Sequence, residues 1–154
     1  MPYHITFTLS TMSKQKSFGI SLFDNPIYHD AQRYDDEYWW KKDDIEFWKR
    51  LLEMSPGKRV LELASGTGRL AVPLIREGAE YTGVEISPEF CEQAKTKFKQ
   101  NFQVGRIIEG DIRDVDLEER FDLVFIGFNS FLHLLKDEDA AAGLACAKKH
   151  MHQN

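Results

Sequence analysis

A short apolar run, Arg59-Val60-Leu61-Glu62-Leu63-Ala64, passes directly into Ser65-Gly66-Thr67-Gly68 and then into about ten residues of helical pattern ending at Glu77-Gly78. A strand that meets a helix through a glycine turn admits few folds, because the small residues let the backbone double back and place a helix N-terminus at the strand end. The unit then repeats. A second strand, Tyr81 to Ile86, stops at Ser87-Pro88-Glu89, which reads as an N-cap, a proline at the first helical position and an acid in the first turn, and its helix runs to about Gln100. A third strand, Arg106 to Glu109, leads to Gly110-Asp111, and a fourth, Phe121 to Phe128, to Asn129-Ser130. The last helix, from about Asp137 to Lys149, has acids at its start and Lys148, Lys149 and His150 at its end, as the helix dipole favours. Strands apolar on both faces and separated by single helices predict a parallel α/β sheet. Right-handed crossovers then leave a Rossmann-like, doubly wound arrangement, in which ligands bind beyond the carboxyl ends of the strands.

Ahead of the sheet, Tyr38, Ile45, Trp48, Leu51 and Leu52 recur at helical spacing between about Tyr34 and Met54, predicting one or two amphipathic helices that Pro56-Gly57 ends. Residues 1–17 hold a brief alternation, Ile5, Phe7 and Leu9, followed by polar residues and a second methionine, Met12. The 154 residues are thus expected to divide into a flexible N-terminal extension (1–17), an N-terminal helical lid (18–57) and a Rossmann-like domain (58–154). A 42% hydrophobic and 12% aromatic content suffices for one core, while 29% charged residues with a net charge of -5 argue against a protein that coats nucleic acid. The longest apolar run, Leu123 to Phe128, falls far short of the roughly 20 residues of a membrane span. Met1 to Ser10 does not read as a secretory signal, and Cys91 and Cys146 are too few to staple a secreted scaffold, so a cytoplasmic setting is expected. His150 and His152 have no third ligand in view, and no metal is expected.

The chemistry gathers at the strand ends. Gly66-x-Gly68-x-x-Ala71 matches the dinucleotide fingerprint, and Glu85, closing the second strand, sits where an acid would hold a ribose diol. Three features point elsewhere than a dinucleotide. Glu62 lies inside the first strand, a costly place for an acid unless it meets a partner. Ala64-Ser65 stands between strand and first glycine, and Gly110-Asp111 closes the third strand. No Gly-Lys-Ser/Thr sequence occurs, so a phosphate cradle is absent.

Glu62-Leu63-Ala64-Ser65-Gly66-Thr67-Gly68 resembles motif I of the class I S-adenosylmethionine methyltransferases, and the later motifs follow in that family's order over roughly Tyr34 to Asn154. The resemblance implies a sheet of order 3-2-1-4, an incomplete version of the family's fold, with S-adenosylmethionine as cofactor. It implies that Ala64, Gly66 and Gly68 pass beneath the methionine and ribose, with Glu62 organising the ammonium end. By the same resemblance Glu85 and Ile86 hold the ribose, Asp111 and Ile112 frame the adenine, and Asn129 contacts the methionyl part. The block Tyr34-Asp35-Asp36-Glu37-Tyr38-Trp39-Trp40 is similar to the lid helices of bacterial methyltransferases that act on amino sugars and other small amines. Tyr34 and Tyr38 would then cover the sulfonium by cation–π attraction or, on the plainer reading, pack the helix onto the sheet, the expected role of Trp48. His133 stands where those enzymes face the acceptor, so it is read as base, as orienting group or, flanked by leucines, as structural.

The expected activity is methyl transfer to a nitrogen or oxygen of a small molecule by in-line displacement, for which positioning is the main contribution. Two alternatives stay open: a non-catalytic cofactor-binding or partner-binding module, and a dinucleotide-dependent oxidoreductase. Residues 58–149 supply four of the seven strands that the family's complete sheet has, so the chain reads as truncated or as the cofactor-binding half. An open edge along the fourth strand would in turn favour a homodimer.

Overall fold

The computed structural model describes residues 26–152. The Ile5-Phe7-Leu9 alternation, the extension over 1–17, the start of the lid segment and Gln153-Asn154 lie outside the described residues. A 3-10 turn, Pro26–His29, leads into α1 (Ala31–Glu37), and the Asp30 side chain caps that helix by accepting the Arg33 N–H at 2.9 Å. A second helix, α2 (Ile45–Met54), presents Leu52 to the core. Strands β1 (Arg59–Leu63), β2 (Glu80–Glu85), β3 (Arg106–Glu109) and β4 (Leu123–Ile126) alternate with α3 (Ala71–Arg76) and α4 (Pro88–Gln100), and α5 (Asp137–His150) closes the chain.

All four strands run parallel in the order β3-β2-β1-β4. Register sets Val60 beside Tyr81 and Leu123, and Glu85 beside Glu109. The carboxyl ends of β1, β2 and β3 therefore come level, which brings loops distant in sequence to one rim. Because side chains alternate across a strand, β1 feeds two cores. Val60 joins Leu52, Leu70, Leu74, Phe98 and Phe125 on one face of the sheet, while Leu61 and Leu63 join Val84, Ile112, Phe121 and Cys146 on the other.

The expected fold class and strand order are those observed, with differences at the ends of elements. The helix after the glycines has six residues rather than about ten, because Gly66 and Gly68 take left-handed φ of +58° and +76° and the chain turns through Leu70 before it coils. Pro73 sits at the third helical position, where no intrahelical partner waits for its missing N–H. The fourth strand is Leu123–Ile126 rather than Phe121 to Phe128. Phe128 adopts φ +51° and ends it, and Phe121 instead forms a parallel bridge with Met151. The Phe121 N–H donates to the His150 carbonyl at 2.8 Å, so the chain beyond α5 pairs directly beside the approach to β4.

Candidate functional site

A cavity opens at the carboxyl ends of β1, β2 and β3, its far wall made by the 3-10 turn Ser130–His133 and the approach to α5. Seven of the residues singled out in the sequence line it: Ala64, Gly66, Glu85, Ile86, Asp111, Ile112 and His133. Four do not: Glu62, Gly68, Tyr34 and Asn129.

The floor is built by the glycine loop. Gly66 has a left-handed φ of +58° and nothing within 4 Å of where a Cβ would stand, so its bare backbone faces the cavity. Gly68, at +76°, serves packing instead: a Cβ there would come 3.1 Å from that of Ala94 on α4. Ala64 holds a comparable left-handed φ of +59° although it carries a Cβ, a strained conformation that the sharp exit from β1 imposes.

At the end of β2, Glu85 is buried, and each carboxylate oxygen takes one backbone hydrogen bond: Gly66 N–H donates to Oε2 at 2.8 Å, and Ser87 N–H to Oε1 at 2.9 Å. Burial raises its pKa while the Ser87, Gly66 and Ile86 N–H groups pull it back. A carboxylate offers about four lone-pair sites, so Glu85 keeps accepting capacity toward the cavity. Ser87 in turn caps α4, its hydroxyl accepting the Phe90 N–H at 3.3 Å, and Phe90 adds an aromatic wall. Across the cavity Asp111 meets Arg113, whose Nε donates to Oδ1 at 2.9 Å and whose Nη1 reaches Asp139 of α5 at 3.0 Å. This chain of charges joins the end of β3 to α5 and orients Asp111 beside buried Ile112.

His133 is half-buried, and burial lowers its pKa below the ordinary 6.5, which favours the neutral imidazole. Its Nε2 is hydrogen-bonded to the Tyr28 hydroxyl at 3.4 Å, with the rings edge-on at 5.3 Å. Tyr28 also meets Tyr34 at 6.1 Å and Phe90 at 6.4 Å between ring centroids. Tyr34 itself packs on Phe90 at 4.9 Å and Tyr38 at 4.7 Å, one layer back from the cavity. Burial pushes its phenol well above the usual range, so it offers an aromatic face rather than a base. Trp48 stacks on Phe125 at 4.2 Å, in the packing role expected of it.

Glu62 lies beneath the loop, on the face of β1 that carries Val60. The Tyr81 hydroxyl donates to its Oε2 at 2.5 Å, and burial pushes the carboxyl up to about 8. The required partner thus exists, a tyrosine one strand away. Asn129 is exposed beyond β4, and its carbonyl accepts the Leu132 N–H that shapes the turn before His133.

Tyr28, Phe90, Arg113 and Asp139 were not read from the sequence as site residues. Asp111-x-Arg113, an acid and a base two residues apart in a turn, was a usable signal, as was Phe90 in the first turn of a helix facing the loop. Tyr28 and Asp139 carry no local signal, since each reaches the site through contacts distant in sequence.

The donor set, with Glu85 at its centre and apolar flanks for a base, suits a nucleoside carrying a diol. Among the described residues no group of His, Cys, Asp and Glu could hold a metal ion, and no helix is long and apolar enough to cross a membrane.

A family model described as a methyltransferase domain matches residues 60–154. A glycine/sarcosine N-methyltransferase of Aphanothece halophytica is 36% identical over 84 residues, 53% of this chain and 32% of that protein. The crystal structure of the glycopeptide N-methyltransferase MtfA with S-adenosylmethionine superposes with a TM-score of 0.60 at 26% identity, covering 70% of this chain and 49% of that one. The sugar N-methyltransferase KedS8 of Streptoalloteichus covers 97% of this chain and 56% of its own, with a TM-score of 0.66 at 21% identity, a likeness of fold. The chain thus spans about a third of the curated relatives it matches and about half of these solved structures.

Proposed function

The chain belongs to the methyltransferase-domain family, and on that premise we propose that it binds S-adenosylmethionine in the cavity at the strand ends and serves methyl transfer to the nitrogen of a small molecule. The single observation that carries the reading is Glu85: a buried carboxylate locked by two backbone N–H groups, with lone pairs left for vicinal hydroxyls, in one cavity with the bare backbone of Gly66. The activities of the relatives, N-methylation of glycine or sarcosine and of a glycopeptide, support a nitrogen acceptor.

S-adenosylmethionine supplies an electrophilic methyl group on a sulfonium. Glu85 would accept the two ribose hydroxyls. Asp111, held by Arg113, and Ile112 would bound the adenine with one polar and one apolar edge. Ala64 and Gly66 would let the backbone approach the ribose and methionine, and Ile86 and Phe90 would exclude water from them. Neutral His133, paired with Tyr28, would orient the acceptor amine and take its proton. Tyr34, behind Tyr28 and Phe90, would keep that wall in place. Glu62, paired with Tyr81, and Gly68, packed on Ala94, would shape the loop from beneath, and Asn129 would shape the turn that carries His133. The proposed setting is the cytoplasm, where the free and buried Cys91 and Cys146 stay reduced. Pairing of two copies along β4 belongs to the same proposal.

Calorimetry tests the reading. S-adenosylhomocysteine is expected to bind in preference to NAD, and Glu85→Ala to weaken it by about 1.5–3 kcal/mol, as for hydrogen bonds to a charged group. Equal affinity in wild type and variant would remove Glu85 from the site, and preference for NAD would overturn the reading.

A further inference from the structure

Helix α1 buries none of its residues, yet it carries Tyr34 against the cavity wall. Besides the Tyr34 ring contacts, so short a helix is held by a closed polar ring drawn from three elements. Asp35 of α1 accepts at Oδ1 from the Thr67 hydroxyl at 2.5 Å and from the Lys97 ammonium of α4 at 2.7 Å. The same ammonium donates to the Thr67 hydroxyl at 3.0 Å, and Gln93 donates to the other Asp35 oxygen at 2.9 Å. Thr67 is 1% exposed, while Asp35 and Lys97 are about one-fifth exposed. At such depth a charge-assisted ring is stronger than a surface pair, and each group left alone would be a desolvated orphan.

Position gives the ring its significance. Thr67 lies between Gly66, which faces the cavity, and Gly68, which packs on Ala94 of α4. The loop thus turns its backbone to the ligand and the Thr67 side chain to the lid. From cavity to lid the path is continuous: Glu85, the Gly66 N–H that it accepts, Thr67, Asp35, and then Tyr34 one residue away on the same helix.

We infer that Asp35, Thr67 and Lys97 are positioning residues that latch α1 onto the glycine loop and so set how long the nucleoside ligand is retained. This rests on the function proposed above. None of the three lines the cavity, so each acts through Tyr34, Phe90 and the loop rather than by touching ligand or acceptor.

The test uses the full 154-residue chain, S-adenosylhomocysteine as probe, and the variants Asp35→Asn, Lys97→Met and their double. In stopped-flow displacement each single variant should raise the dissociation rate about tenfold with association within about twofold, and the double should be no worse than the worse single. Lys97→Arg, which keeps the charge, should restore slow release. Hydrogen exchange on the ligand-free chain should quicken in residues 31–37 while β1 and β2 keep their protection; loss of fold would quicken all three. If the wild type fails to bind the probe, the function reading falls and exchange alone judges the latch. Unchanged release in both single variants, or unchanged exchange in α1, overturns the inference.

Discussion

Two histidines show how surroundings decide what one residue type does. His150 is fully buried: its Nδ1 donates to the Cys146 carbonyl at 2.8 Å, and its Nε2 accepts the Leu117 N–H at 3.1 Å. Both nitrogens are occupied, so it ties α5 to the segment before β4. The His133 ring meets the Tyr28 hydroxyl among the described residues and faces the cavity. Because burial lowers its pKa from 6.5, the imidazole is already neutral at pH 7, and the ability to take a proton is lost only as pH falls through that lowered value. In a form of the protein that turns over an acceptor, kcat should therefore be flat near neutrality with an acid limb centred below 6.5. His133→Ala should abolish that limb and lower kcat by about 10²-fold while leaving S-adenosylhomocysteine affinity nearly unchanged. A pH–rate series on both forms checks this, and an unaltered kcat would return His133 to a structural role.

At the scale of elements, the connection between α1 and α2 is pinned to the chain just past the glycines. Arg69 donates through Nη1 and Nη2 to the two Asp44 oxygens at 2.7 and 2.9 Å, and its Nη1 also reaches the Lys41 carbonyl at 3.0 Å. Burial alone would raise the Asp44 pKa, but the hydrogen bonds and charge of Arg69 outweigh it and hold the carboxyl below its ordinary 3.8. A depressed folded-state pKa means stability present above 3.8 and lost as pH falls through the lower folded value. A double-mutant cycle of Arg69→Met and Asp44→Asn, read by urea unfolding, should give a coupling of about 1–2 kcal/mol at pH 7 that fades below pH 3.8. A coupling independent of pH would mean that packing of the Arg69 stem, not its charge, holds the connection. The capping signals at Ser87-Pro88-Glu89 were legible at this scale because a cap is a local event. The length of α3 was not, because the left-handed glycines and Ala64 before it respond to the packing of α4 and the exit of β1.

For the molecule as a whole, the sheet ends among the described residues at β4, whose apolar Leu123-Val124-Phe125-Ile126 pairs with β1 on one side. Met151 covers the approach to that strand at Phe121, and the remainder is the edge proposed to pair with a second copy. Sedimentation at micromolar concentration should show a dimer, with slow amide exchange at Leu123 to Ile126; a monomer with rapid exchange there would overturn the pairing. The sequence by itself determined the parallel sheet, its helices and the rim where chemistry gathers, because chirality, hydrophobic period and glycine turns are properties of neighbouring residues. It also marked two acids for the cofactor, Glu62 inside the first strand and Glu85 at the end of the second. Only tertiary structure separated them: side-chain alternation sends Glu62 beneath the loop to Tyr81, whereas Glu85 meets the Gly66 N–H at the cavity. Tyr28 reaches His133 across 105 positions, and Asp35 reaches Thr67 across 32. No periodicity encodes such pairs, since they exist only once the sheet has brought its loops to one edge.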